Sequence, residues 1–337
     1  MISLIFKDAT MADAVLLFAF GFILLIKGGD WFVDGATGIA KRFRIPDILI
    51  GATVVSIGTT LPEVMVSATA AAQGSGDMAY GNAIGSVICN TALIAAITVA
   101  IKPAEVERKT LIIPVIFFFI AAIFYACIAY FAREFQLWAG IVLLCMFVIY
   151  MVFTVYQALK TAKKDRELLS PEEKEEDEKG SSLVKELVFL VLGALAIAVG
   201  ADLLVDKGTF IAEAWGVPQT VISLTFVALG TSLPELVTAI TSLLKGRGAL
   251  SLGNLIGANL FNLVLVSGLA ITIAPFAVPM GMTIGGISAS LVLDIPVMFA
   301  VMALLTVPAL IRGKLSKSQG YALLAIYAVF ITLQFVL

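Results

Sequence analysis

The 337-residue chain contains no histidine. That absence removes imidazole proton relays, His-ligated metals and His-activated nucleophiles together. Charge is scarce as well: 14% of residues are charged against 60% hydrophobic, with a mean hydropathy of +1.05. Soluble globular domains carry about a quarter charged residues, so that class is excluded. The three cysteines, Cys89, Cys127 and Cys145, lie in apolar runs without metal-ligand spacing and read as small buried hydrophobes. The first 12 residues have little positive charge and no small-residue cleavage pattern, so the first apolar run reads as a retained span. A net charge of −2 says nothing useful about partners in so apolar a chain, and no nucleic-acid partner is expected.

What the chain has instead is apolar runs of membrane-crossing length. Ten of them cover roughly 12–36, 46–72, 79–101, 110–132, 136–159, 183–206, 217–244, 250–274, 294–311 and 318–337. The short alternating segments of a β-barrel are missing. The expected fold is therefore an all-α polytopic membrane protein of ten transmembrane helices, with the lipid bilayer as its solvent.

The chain also repeats itself. GTTLPEVMVS at 58–67 returns as GTSLPELVTA at 230–239, an offset of 172 residues. At the same offset Asp30 and Asp34 match Asp202 and Asp206, Pro46 matches Pro218, and GNAIGS at 81–86 matches GNLIGA at 253–258. Pro103 still matches Pro275, with no gap between. Each half, 1–159 and 183–337, holds five spans around a charged linker at 160–182. An odd number of spans per half forces the second to enter the membrane from the opposite side. Inverted repeats of this kind are a transporter architecture, with the site at the midplane between the halves.

Of the 22 Lys and Arg residues, 18 lie in the loops after the odd-numbered spans or in the linker. By the positive-inside rule that side is cytoplasmic and both termini face outward, which places the protein in the cell membrane. The acidic linker lacks the spaced ligands and turn glycine of an EF-hand and reads as a solvated connector.

The repeated motif puts a proline and a glutamate inside an apolar run. Pro62 has no N–H, and its ring clashes with the Gly58 carbonyl, so a kink there frees oxygens at Gly58 and Thr59. The same reasoning applied to Pro234 frees Gly230 and Thr231. Freed carbonyls in hydrocarbon need a polar partner, such as a cation in a protein-lined cavity. Glu63 and Glu235 supply four carboxylate oxygens and the carbonyls of Thr59 and Thr231 two more. About six oxygens with two negative charges suit Ca2+. A structural kink with a hydrogen-bonded glutamate accounts for one copy; recurrence in both inverted halves favours function. Ser86 and Asn90, four apart, share a helix face that Ala258 and Asn262 repeat in the second half, and neutral oxygens there suit small monovalent ions. The spacing of Gly81 with Gly85, and of Gly253 with Gly257, allows close helix approach. Asp30, Asp34, Asp202 and Asp206 lie near span ends, where ion pairing, for example with Lys27, outweighs a role in conduction. Asp294, two residues before Pro296, reads as the N-cap of the ninth span.

At GTTLPE…GNAIGSVICN and GTSLPE…GNLIGANLFN the chain resembles the sodium/calcium exchangers of the cation/calcium exchanger superfamily, prokaryotic type. The resemblance covers all ten spans and is most specific at 46–95 and 218–267. It implies two inverted five-helix halves that exchange cytosolic Ca2+ for external Na+ by alternating access, one chain sufficing. It implies Ca2+ on Glu63, Glu235 and the carbonyls of Thr59 and Thr231. Na+ would take the same glutamates with Thr60, Ser232, Ser86, Asn90, Asn262 and the carbonyls of Ser56 and Ala228. Many relatives have serine at the position of Ala258 and aspartate at that of Asn262, and the neutral Asn262 argues against K+ cotransport. Proton-coupled members usually show G-N-x-x-E where this chain has G-T-x-L-P-E.

The expected activity is thus a secondary antiporter rather than an enzyme, electrogenic and K+-independent, with no cofactor beyond the transported ions. Exchange of H+ for Ca2+ is the alternative, since a desolvated glutamate can titrate near neutral pH. A channel would build its pore axis from several subunits or repeats, and an intramembrane hydrolase finds neither histidine nor a paired nucleophile and base.

Overall fold

The computed structural model describes residues 10–103, 105–167, 182–216 and 230–336. The described residues form ten principal helices: α1 (Met11–Phe43), α2 (Asp47–Ala72), α3 (Gly76–Ile101), α4 (Arg108–Ala132), α5 (Leu137–Glu167), α6 (Leu183–Ala214), α7 (Leu233–Leu244), α8 (Gly248–Ile273), α9 (Ser290–Arg312) and α10 (Lys317–Val336). Eight are long and apolar enough to cross a membrane. α7 begins after a turn at Thr231–Ser232, and the run before that turn, 217–229 with Pro218 and Ala228, lies outside the described residues. So does most of the linker, 168–181. The architecture is the all-α, ten-helix membrane fold of two inverted five-helix halves.

Local chemistry sets the helix ends. α1 opens with a capping box in which the Asp13 N–H donates to Thr10 Oγ1 and the Thr10 N–H donates to Asp13 Oδ2 at 3.0 Å. It closes at Arg44, left-handed at φ 52°, whose N–H bonds back to Lys41 at 3.1 Å. Outside the helices, two-residue strands pair antiparallel, Glu134–Phe135 with Phe276–Ala277 and Thr283–Ile284 with Ile287–Ser288. The second pair turns through Gly285 and Gly286 at φ 59° and 81°, which suits a primed hairpin turn. Strands this short carry no signal in the hydropathy pattern.

α1 lies along α6, and glycines set the distance between them. A Cβ on Gly28 would fall 2.9 Å from the Ile197 nitrogen and 3.0 Å from the Gly193 carbonyl, so the two backbones touch. α8 approaches α2 in the same way: a Cβ on Gly253 would strike the Ile48 carbonyl, and one on Gly257 the Ser56 hydroxyl and Ala52. Gly81 and Gly85 meet nothing within 4 Å among the described residues.

Loop contacts sort the helix ends into two faces. Asp47, after α1, pairs with Arg247, after α7, at 3.1 Å. The Val106 N–H, after α3, donates to the Gly313 carbonyl, after α9, at 2.9 Å, and Arg108 donates to the Ile311 carbonyl. On the other face the Val278 N–H donates to the Arg133 carbonyl at 2.9 Å, joining the connections after α4 and α8. This is the alternation the loop charges require.

Two details differ from the sequence-based expectation. Asp294 is not an N-cap: its angles are helical (φ −65°, ψ −53°), it makes no capping bond, and it ends a π-helical turn, Ser290–Asp294. The helix starts one turn before Pro296 needs it to, and the Asp294 carboxylate instead accepts from Gln334 Nε2 of α10 at 2.8 Å. Of the cysteines, Cys89 is buried, whereas Cys127 and Cys145 are exposed on the outer faces of α4 and α5, where an apolar thiol suits lipid.

Candidate cation site

The repeated glutamates sit where α2, α3, α7 and α8 pack together. Each helix is irregular there. α2 passes through a π-helical segment, Gly51–Val55, and then runs as α-helix across Pro62. α3 turns π-helical at Asn90 and α8 at Asn262, the two repeat-related asparagines. A π turn shifts the hydrogen-bond register and releases carbonyls, which is why such turns gather at functional sites. One release is visible in α2, where the Ala52 carbonyl accepts from Tyr150 Oη at 3.0 Å.

The second half breaks differently. Thr231 and Ser232 form a turn, and α7 restarts at Leu233 with Pro234 in its first turn. There the missing N–H has no intrahelical partner to lose, so Pro234 starts a helix while Pro62 lies inside one. The equal kinks expected from the repeat are therefore not equal: sequence identity fixes the proline, and its place in the helix depends on the turn before it.

Glu63, Glu235, Thr60, Asn90 and Asn262 are all 0% exposed and Ser232 2%. No side-chain oxygen or nitrogen of these six makes a well-formed hydrogen bond among the described residues, although Thr59 lies beside Glu235 and Cys89 beside Ser232. They form three repeat-related pairs, Thr60 with Ser232, Glu63 with Glu235, and Asn90 with Asn262. The two carboxylates lie within electrostatic reach of one another. Native proteins pair nearly all buried polar groups, and each one left bare costs about 1–3 kcal/mol. Six together, two of them acids, form a cluster that a hard cation would satisfy and that the protein's own donors do not.

Around this centre the other expected residues divide. Ser86 and Thr59 are buried beside it, and Thr231 is half-buried in the turn. Ser56 spends its hydroxyl on the carbonyls of Gly51 and Asn254, at 2.8 and 2.9 Å, which ties α2 to α8 and leaves its own carbonyl as the candidate donor. Thr59 Oγ1 donates to Asn254 Oδ1 at 3.2 Å. Ala228 lies outside the described residues. Ala258 is fully buried and brings no oxygen.

A model of the family described as "Sodium/calcium exchanger protein" matches residues 13–156 and 185–336, one block per half. The chain belongs to the sodium/calcium exchanger family. It is 35% identical to an uncharacterised membrane protein of Methanocaldococcus jannaschii, over 93% of this chain and 95% of that one. It is 29% identical to the sodium/calcium exchanger MaX1 of Methanosarcina acetivorans, over 95% of this chain and 98% of that one. Among solved structures it is similar to the sodium-calcium exchanger NCX_Mj soaked with Na+ and Sr2+, with a TM-score of 0.80 and 31% identity over 96% of this chain and 99% of that one. The exchanger family consists of transporters rather than enzymes.

Two features of this exchanger chain escaped the sequence reading. Asp34 and Asp30 pair not with Lys27 but with Lys245, at 2.8 and 3.5 Å, and Lys245 also donates to the Asp30 carbonyl. That contact pins α1 to the end of α7, in line with the expected ion pairing, through a partner in the other half. Cys89, expected to be inert packing, lies beside Ser232 and within electrostatic range of both glutamates. Its place one residue before Asn90 was the available clue.

Proposed function

We propose that this protein is a secondary antiporter that exports Ca2+ in exchange for Na+ through one site shared by its two halves. The observation that carries the reading is the cluster of six buried, unpartnered side chains around Glu63 and Glu235. Ca2+ takes six to eight oxygens; here the two carboxylates supply the charge and the carbonyls of Thr59 and Thr231 complete the set. Na+ uses the same glutamates with Thr60, Ser232, Ser86, Asn90, Asn262 and the carbonyls of Ser56 and Ala228. Because the two ions need the same carboxylates, they occupy the site in turn, and that mutual exclusion couples their gradients. One chain supplies the whole set, so a monomer suffices. The relatives named as sodium/calcium exchangers support the choice of ions.

One Ca2+ neutralises the two glutamates, so the calcium-loaded centre is near neutral. More than two Na+ leave a net positive load, and each surplus charge couples to about 2.3 kcal/mol per 100 mV. With the linker in the cytoplasm of a cell membrane and both termini outside, an inside-negative potential drives Na+ in and Ca2+ out. The neutral Asn262 supports K+ independence.

The test is radioactive Ca2+ uptake into proteoliposomes loaded with Na+, K+, choline or a proton gradient, with the membrane potential clamped. Uptake should require internal Na+, ignore K+ and respond to the clamp. Uptake that ignores Na+ and follows a pH gradient would establish H+/Ca2+ exchange instead. Orientation is read separately: a cysteine at Ser316, between α9 and α10, should react with an impermeant reagent only from the cytoplasmic side.

A further inference from the structure

Four more buried polar side chains have groups without a partner, and they lead away from the carboxylates. Thr238 and Ser242 of α7 and Ser251 and Asn254 of α8 are 0%, 0%, 3% and 0% exposed. Thr238 Oγ1, Ser242 Oγ, Ser251 Oγ and Asn254 Nδ2 make no hydrogen bond among the described residues. Helical hydroxyls ordinarily turn back to the carbonyl four residues earlier, as Thr53, Thr91 and Thr306 do here at 2.7, 2.8 and 2.6 Å. These three do not.

Their spacing places them in one seam. Thr238 and Ser242 follow Glu235 by three and seven residues, on one stripe of α7. Ser251 and Asn254 precede Ala258 and Asn262 on one stripe of α8, and the two helices pack against each other. Seven residues of helix rise about 10 Å, so Ser242 lies that far from Glu235 along α7. The chain then turns at Lys245 and Arg247, whose contacts with Asp34 and Asp47 mark the face shared with the end of α1. By the parity of the spans this is also the linker face.

The first half lacks the three hydroxyls. At the offset of 172 residues the counterparts of Thr238, Ser242 and Ser251 are Val66, Ala70 and Ala79, while Asn254 is matched by Asn82, whose Nδ2 donates to Ser67 Oγ at 2.8 Å. Ala70 and Ala79 pack with Ala71 and Ala270 in an apolar cluster. Since the halves are inverted, that seam leads to the opposite membrane face. Its polar side chains, Ser67 and Asn82, are hydrogen-bonded to each other, whereas the hydroxyls of the α7–α8 seam have no partner among the described residues.

Resting on the exchange reading above, we propose that the α7–α8 seam is the ion route between the carboxylates and the linker face. The hydroxyl oxygens of Thr238, Ser242 and Ser251 act along it as successive weak ligands for partly dehydrated Na+ or Ca2+. Neutral oxygens suit that task, since a route must bind well enough to admit an ion and weakly enough to release it.

Two experiments test this in the reconstituted full chain. Single cysteines at Ser242 and Ser251 are exposed to an impermeant cationic thiol reagent from each face, in Na+, in Ca2+ and without either. Labelling above that of the parent chain is expected from the linker face only. No excess labelling in any condition, or labelling from the opposite face, overturns the proposal. The triple variant T238V/S242A/S251A gives the second half the residues of the first. Its exchange rate should fall by about tenfold or more, a barrier change of roughly one transport decade, while Ca2+ still raises its melting temperature as in the parent. A rate within about twofold of the parent would overturn the route, because a barrier so little changed needs no such ligands. If the protein were not a Ca2+ carrier, Ca2+ would fail to stabilise the parent too, and if it exchanged Ca2+ for H+, the parent's flux would follow pH and not Na+, whereas the labelling would still report the seam.

Discussion

Replacing Glu63 with Gln preserves shape and removes one of two charges from a position that is 0% exposed. A unit charge about 4 Å from a divalent ion interacts by about 8 kcal/mol at an effective dielectric near 20, twice the monovalent figure. The cost of dehydrating the carboxylate and the amide oxygen that remains offset much of this. A net loss of about 3 kcal/mol corresponds to more than a hundredfold in affinity. Stability without Ca2+ should move the other way, because an uncompensated buried charge is destabilising. The unloaded variant should therefore melt at or above the parent's temperature. The assay is thermal unfolding in detergent with and without Ca2+. At a hundred times its dissociation constant Ca2+ stabilises the parent by about 2.7 kcal/mol, whereas at the same concentration the variant gains about 0.4 kcal/mol or less. Glu235→Gln should behave alike, since Glu235 is equally buried and its carboxylate equally without a partner. A normal Ca2+ shift in either variant, or a variant that unfolds more readily when unloaded, would refute the reasoning.

Asn262→Asp adds a third carboxylate and should tighten Ca2+ by about tenfold or more at pH 8, roughly 1.4 kcal/mol, with slower turnover; an unchanged half-saturation in flux assays would show that position 262 faces away from the ion. Gly28→Ala forces a Cβ to 2.9 Å from the Ile197 nitrogen, and overpacking of this kind costs about 1–3 kcal/mol; a melting temperature equal to the parent's would mean that the α1–α6 contact is looser than it stands.

The features legible in the sequence were those that recur. Glu63 and Glu235, Pro62 and Pro234, and Asn90 and Asn262 stand at one offset, and residues so costly in apolar runs mark the candidate site by recurring. Helix count and inversion followed from run length and loop charge, because hydrocarbon leaves the backbone few options. What stayed hidden was where the halves differ. Nothing in GTSLPE says that the chain turns at Thr231 before Pro234, since helix restart depends on packing around the turn. The Lys245 contact joins residues over 200 positions apart in sequence, and Lys27 was the nearer candidate. Asp294 looked like a cap because Pro296 followed it, yet the π turn from Ser290 carries the helix past it. The hydroxyls of Thr238 and Ser242 were in plain view in the repeat, but only their burial without partners distinguishes them from ordinary helix-facing threonine and serine.

The central claim is one site, built by both halves, that Ca2+ and Na+ occupy in turn. Equilibrium binding of radioactive Ca2+ to the purified chain, titrated with Na+ and separately with K+, tests it most directly. The account predicts one Ca2+ per chain, displaced competitively and completely by Na+, with a Hill coefficient above one and no effect of K+. Two Ca2+ per chain, or Ca2+ that stays bound at saturating Na+, would contradict it.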